Sequence, residues 1–155
     1  MGDVFVESVK RKDSEEVLKK KIEEVFLKST NNLSWLKKGD TVMLKPVLNE
    51  PQEYPATTHP LAIKVVYDLL KKRGAKVFVG EQSGISNTLQ SKEGIVNGST
   101  RENFYNSGMG DKSEKLVAFE ESGWKGYFHF TSPKAKTWED GFYITKEIKK
   151  ADHIV

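Results

Sequence analysis

The stretch from Gly39 to Gly84 decides the fold. It holds a Gly39-Asp40 turn, the apolar run Thr41-Val42-Met43-Leu44, the stop Lys45-Pro46, a helix-like segment opening at Pro60, and a second apolar run, Val77-Phe78-Val79, before Gly80-Glu81-Gln82-Ser83-Gly84. Short continuous apolar runs between turn residues fit strands buried on both faces. Pro46 has no N–H for a ladder and biases Lys45 towards extended backbone, so the first strand ends there. A loop through Asn49, Pro51, Tyr54 and Pro55 follows. Pro60 suits a first helical position, and Ala62, Val65, Val66, Leu69 and Leu70 recur at i, i+3, i+4, i+7 and i+8. Gly74 is the natural stop. Strand, amphipathic helix and buried strand make a βαβ unit, for which a parallel crossover is the expected geometry. The junctions Lys37-Lys38-Gly39 and Lys72-Arg73-Gly74 look alike and read as repeated α-to-β punctuation.

On the amino-terminal side, Val4-Phe5-Val6 reads as a short strand. Asp13 with Glu16 has capping-box spacing and opens a helix whose stripe is Val17, Leu18, Ile22, Val25 and Phe26. Trp35 and Leu36 close that layer. On the carboxyl side, residues 81–98 are rich in Gly, Ser, Asn and Gln and read as a loop. Ser99 with Glu102 opens a short helix through Phe104 and Tyr105 that ends by Gly108. Leu116-Val117-Ala118-Phe119 and Tyr127-Phe128-His129-Phe130 read as strands, Ile144 to Lys150 as a helix and Ala151 to Val155 as a strand start. The pattern predicts one α/β domain over residues 1–155, a Rossmann-like three-layer sandwich with a mostly parallel sheet.

The composition narrows the function classes. The chain has 155 residues, 37% hydrophobic and 30% charged, and no cysteine. That is enough for a real core in one domain. It also excludes disulfides, thiolate zinc sites, a cysteine nucleophile and cysteine ligands to an iron-sulfur cluster within this chain. The apolar runs are too short for a membrane span and Met1-Gly2-Asp3-Val4 does not open a secretory signal, so no membrane association and a cytoplasmic location are expected. Lys plus Arg number 25 against 22 Asp plus Glu, and only Arg11, Arg73 and Arg101 are arginines. Lysines alternate with acids, as in Glu15-Glu16 before Lys19-Lys20-Lys21, which is how a solvated helix face is written. Scarce arginine argues against nucleic acid as a partner.

Open parallel sheets bind ligands outside the carboxyl ends of their strands. That rule selects Lys45 and Asn49 after the first buried strand, and Thr57, Thr58 and His59 at the start of the next helix. It adds Glu81, Ser83 and Gly84 after the second strand, and Arg101 where the following helix opens. Together they suit a small anionic ligand: Lys45, Arg101 and the helix start supply positive charge, the threonine and serine hydroxyls supply donors, and the Gly84 turn lets backbone approach. Glu81 and His59 are the members suited to proton transfer and are the candidate catalytic pair. A structural reading stands beside this one, with Thr58 or His59 as a helix cap, Lys45 as a solvated strand end and Ser83-Gly84 as a turn. The segment Gly80 to Gly84 lacks the third glycine of a dinucleotide fingerprint, and there is no Walker A pattern. His59, His129 and His153 have no local ligand spacing, so no metal site is predicted. Trp124, Tyr127 and Trp138 read as core or loop anchors rather than a base-stacking platform.

Four motifs in series carry a resemblance: Gly39 to Pro46, then Ala56-Thr57-Thr58-His59-Pro60, then Gly74 to Gly84, and finally Gly141-Phe142-Tyr143 with Ala151-Asp152-His153-Ile154-Val155. In this order and spacing the chain resembles the domain of unknown function family 362. The family is largely uncharacterised. The resemblance implies association with ferredoxin-type iron-sulfur modules and, more remotely, the architecture of nickel-dependent lactate racemases. Val47 stands where the family has asparagine after Lys-Pro, with Asn49 two positions on. In similar proteins the strand at Ala151 to Val155 continues into a further half of the domain. The chain is therefore expected to be the amino-terminal part of a longer family domain, with self-association or edge pairing through this strand. The functional expectation is an anion-binding domain of a redox-associated enzyme, cofactor unassigned. The alternative is an interaction domain that docks a ferredoxin-type partner through the loop at 81–98.

Overall fold

The run Thr41–Leu44 forms strand β1, and Lys76–Glu81 forms β2, paired in parallel with Thr41 opposite Lys76 and Leu44 opposite Val79. The computed structural model describes residues 3–50, 52–84, 90–92, 94–95, 98–110 and 114–155. Three α-helices are present among them: α1 (Glu15–Ser29), α2 (Pro60–Lys72) and α3 (Thr100–Asn106). The further strands are β3 (Gln90–Ser91), β4 (Gly94–Ile95), β5 (Leu116–Ala118), β6 (Tyr127–Phe130), β7 (Phe142–Thr145) and β8 (His153–Ile154). One all-parallel sheet runs β5-β2-β1-β8, while β3 with β4 and β6 with β7 form separate antiparallel pairs. The fold is α/β with a parallel main sheet. Among the described residues, no helix is long and apolar enough to cross a membrane.

Each strand of the βαβ unit feeds two cores, which is why its sequence is apolar without alternation. Val42, Leu44, Val77 and Val79 join Ile63, Tyr67 and Leu70 of α2 and Phe104 of α3 in one cluster. Met43 and Phe78 point the other way, against Phe119, with Tyr127 and Ile148 packed over them. The third layer of the sandwich is thus the β6–β7 hairpin with 3-10 turns at Phe119–Ser122 and Lys146–Lys150, not long helices. Ile144 and Thr145, read from sequence as part of a helix, end β7 instead.

Helix α2 is apolar on more than the predicted stripe. Ile63, Tyr67 and Leu70 face the sheet core, while Val65 and Leu69 line the groove towards α1, so the helix is sandwiched and needs two apolar faces. It ends at Gly74 (φ +88°), where Ala75 N–H donates to Leu70 O and Gly74 N–H to Lys71 O, a Schellman closure. The two look-alike junctions meet: Gly39 N–H donates to Gly74 O at 3.0 Å, and a Cβ on Gly74 would lie 2.9 Å from Lys38 Cγ.

Two expectations at the amino terminus fail for local reasons. Ser14, not Asp13, caps α1, because the Asp13 carboxylate already accepts Lys10 N–H at 2.8 Å. Val4-Phe5-Val6 makes no strand. Its segment lies along α1 instead, held by Lys28 on Glu7 at 3.0 Å and by Lys21 Nζ donating to Ser8 O, and Val4 and Val6 stay exposed. The Ser99 cap is as expected, with its hydroxyl accepting Glu102 N–H. Of the predicted loop at 81–98, residues 85–89, 93, 96 and 97 lie outside the described residues.

Candidate functional site

Chain order places β1, β2 and β5 successively in one direction and returns β8 to the far side of β1. The switch point therefore lies at β1 and β8, where a crevice opens beyond the carboxyl ends of the strands. A cavity of about 320 Å³ occupies this position, lined by Met43 and Lys45 at β1, Glu81 and Gln82 at β2, and Ile154 at β8. Tyr127 and Tyr143 of the hairpin form its aromatic wall.

Lys45 and Glu81 are joined by an ion pair, Nζ to Oε2 at 2.6 Å. The Glu81 side chain is 7% exposed and the Lys45 side chain 50%, so the carboxylate is the buried anchor and the ammonium the accessible end. Glu81 Oε1 also accepts Gln82 N–H at 2.8 Å. Across the cavity, the Tyr127 hydroxyl donates to Gln82 Oε1. Burial, and then the charge of Glu120, push the Tyr127 phenol well above the ordinary tyrosine range, so it stays a neutral donor.

The other sequence-selected residues are distributed differently. Thr57 donates its hydroxyl to Gln52 O, and Thr58 Oγ1 accepts Val47 N–H. Gly84 N–H donates to Asn49 O, which ties those two candidates to each other. Ser83 is buried, with its N–H on Thr100 Oγ1 and its hydroxyl accepting from Asn103 Nδ2. Glu120, 1% exposed, accepts Thr100 N–H at 2.7 Å and completes this buried network below the cavity. Its second oxygen, Oε2, has no hydrogen-bond partner among the described residues. Arg101 is clamped by Glu121 in a bidentate pair at 2.5 and 2.6 Å, which holds the guanidinium above and the carboxylate below their usual ranges.

His59 lies apart from Glu81. It caps α2, its Nδ1 accepting Leu61 N–H at 3.1 Å, and lines a different cavity of about 480 Å³ with Pro60, Lys64 and Gly108. That cavity is the larger, but it is off the strand ends. The ionic pair and the switch point favour the smaller one. Among the described residues, no three His, Asp or Glu side chains converge as a metal site would require.

Tyr127, Tyr143 and Gln82 were not selected from sequence. Tyr127 meets Gln82 from 45 positions along the chain, and nothing local signals that pairing. Glu120 was accessible to the strand-end rule, since it directly follows the run Leu116 to Phe119.

No curated protein and no solved structure matches this chain. The profile of the family described as Domain of unknown function (DUF362) matches residues 42–155. That span begins inside β1 and takes in all of the parallel sheet but Thr41, and every residue lining the cavity. On this match, the chain belongs to the DUF362 family.

Proposed function

We propose that the cavity at the β1–β8 switch point binds a small anionic molecule through a carboxylate, with a planar apolar body against Tyr127 and Tyr143. The observation that carries this reading is the Lys45 ammonium, half exposed at the cavity and pinned from below by buried Glu81 at 2.6 Å. An ammonium has three N–H donors, and one bond to Glu81 leaves two for a ligand. A phosphate is better served by several converging backbone N–H groups. Here those of Gln82, Ser83 and Gly84 are all engaged internally. A carboxylate needs fewer donors, and the cavity size fits a metabolite of modest dimensions.

In this reading Glu81 positions Lys45 and is the acceptor for any ligand proton. A redox role would draw its electrons from a cofactor or partner, because the chain has no cysteine to hold a cluster.

The test is isothermal titration with benzoate-type carboxylates and, separately, inorganic phosphate, on the wild-type chain and on Lys45→Met below its melting temperature. Carboxylate binding that disappears in the variant is the expected result. Tighter binding of phosphate, or undiminished carboxylate binding by Lys45→Met, overturns the reading.

A further inference from the structure

The β6–β7 hairpin has apolar residues on both faces, and it packs on the sheet at its Tyr127–Thr145 end. Its register pairs Tyr127 with Thr145 and His129 with Tyr143 on one side, and Phe128 with Ile144 and Phe130 with Phe142 on the other. Tyr127 packs on the cluster of Met43, Phe78 and Phe119 and Thr145 is buried, so the first face meets the sheet at this end, while His129 and Tyr143 farther along it are exposed. The second carries a run of rings. Phe130 and Phe142 have centroids 5.4 Å apart, and Trp138, from the loop joining the strands, sits 6.0 Å from Phe142. Trp138 is 60% exposed and Phe130 40%. Lys149 Nζ lies 3.7 Å above the Phe128 ring.

Charge is concentrated on the same module. Residues 125–150 contain Lys125, Lys134, Lys136, Lys146, Lys149 and Lys150 against Glu139, Asp140 and Glu147. This stretch alone has a formal charge of +3, equal to that of the entire chain, and the remaining residues balance. All six lysines are exposed. The mixing of lysine with acid that counts against polyanions over the whole sequence therefore averages over an uneven distribution.

We infer that this face of the hairpin binds single-stranded nucleic acid, bases stacking on Trp138, Phe130 and Phe142 and phosphates neutralised by the surrounding lysines. Stacking on aromatic rings beside a lysine-rich track is the sequence-tolerant mode of single-strand binding, for which arginine and base-edge readout are unnecessary. The surface is separate from the cavity proposed to hold the carboxylate ligand, and the two readings stand or fall independently.

The probe is a fluorescein-labelled oligothymidylate of about 12 nucleotides, titrated with the full chain while anisotropy and tryptophan emission are followed. Binding at low salt should quench Trp138 and weaken with a log–log salt slope of about −0.7 per phosphate contacted. Trp138→Ala, at an exposed position, should weaken binding about 5- to 160-fold, matching one lost base stack. The double variant Lys134→Ser/Lys136→Ser should flatten the salt slope by about one to one and a half. Absence of binding at low salt overturns the inference. So does an affinity that Trp138→Ala leaves unchanged, which marks plain polyelectrolyte attraction. Tight binding to phosphatidylserine vesicles that the oligonucleotide fails to displace also overturns it, and assigns the face to a membrane surface.

Discussion

Lys45 and Glu81 are 36 positions apart in the chain and 2.6 Å apart at the carboxyl ends of adjacent parallel strands, one half exposed and the other buried. The βαβ unit makes this contact, because parallel pairing of Leu44 with Val79 brings Lys45, one residue on, and Glu81, two residues on, to the same edge. The pair is lopsided: only one of its charges is held away from water.

That lopsidedness gives opposite costs to removing its two members. Lys45→Met strands a buried carboxylate whose remaining hydrogen bond among the described residues is from Gln82 N–H, and should cost about 2–4 kcal/mol. Glu81→Gln releases an ammonium that can turn to solvent and should cost about 1 kcal/mol. Urea denaturation of both variants checks the order, and a larger loss in Glu81→Gln would contradict the assignment of Glu81 as the buried anchor.

Gly80 is required by close approach, not by backbone angle. A Cβ there would lie 2.7 Å from Phe119 Cε1 and 3.2 Å from Met43 Sδ. Gly80→Ala should destabilise by about 1–3 kcal/mol through overpacking. Combining it with Phe119→Leu should recover part of that loss, since the offending ring edge is removed. Strict additivity in a double-mutant cycle would show that the two do not touch.

Asp40 ties the edge strand β8 to the start of β1. Its carboxylate accepts Lys37 N–H at 2.9 Å and lies 3.0 Å from His153 Nε2, and these bonds, the backbone one first, hold its pKa below the usual aspartate value. A depressed carboxylate contributes stability above the ordinary aspartate range and loses it as pH falls through the folded value. The melting temperature of Asp40→Asn should therefore trail wild type at neutral pH and converge on it as pH falls below the ordinary aspartate range. A gap that stays constant with pH would remove the ionised carboxylate from the account.

Tyr127 behaves in the opposite sense. Its raised pKa favours the neutral phenol in the folded chain, so its contribution is complete below the ordinary tyrosine range and is lost as pH rises from there through the raised folded value. Ultraviolet titration of the native protein should show Tyr127 still protonated when exposed tyrosines ionise, and Tyr127→Phe should remove no absorbance change in that range. The stability gap between wild type and Tyr127→Phe, about 1 kcal/mol at neutral pH for the bond to Gln82, should narrow in alkali.

Much of the architecture was readable along the chain. The runs at Thr41–Leu44 and Val77–Val79, Pro60 and Gly74 around α2, and the Ser99 cap are local signals, set by periodicity and backbone chemistry within one turn or strand. Errors came where a neighbour outcompeted the local signal. Asp13 was engaged by the preceding turn, Val4-Phe5-Val6 found α1 instead of a sheet edge, and Ile144 paired with Phe128 instead of continuing a helix.

The site divides in the same way. Lys45 and Glu81 follow from a rule about strand ends, which needs only the order of elements. Whether His59 shares their cavity depends on where the first turn of α2 points after packing, and it opens onto a separate hollow. Tyr127 over Gln82, the clamp of Glu121 on Arg101 and the buried network of Ser83, Thr100 and Glu120 all join residues distant in the chain. Hydrogen bonds of this kind form between whichever donors and acceptors packing leaves adjacent. Chain spacing specifies the strands and helices, and the stacking of those elements chooses the partners.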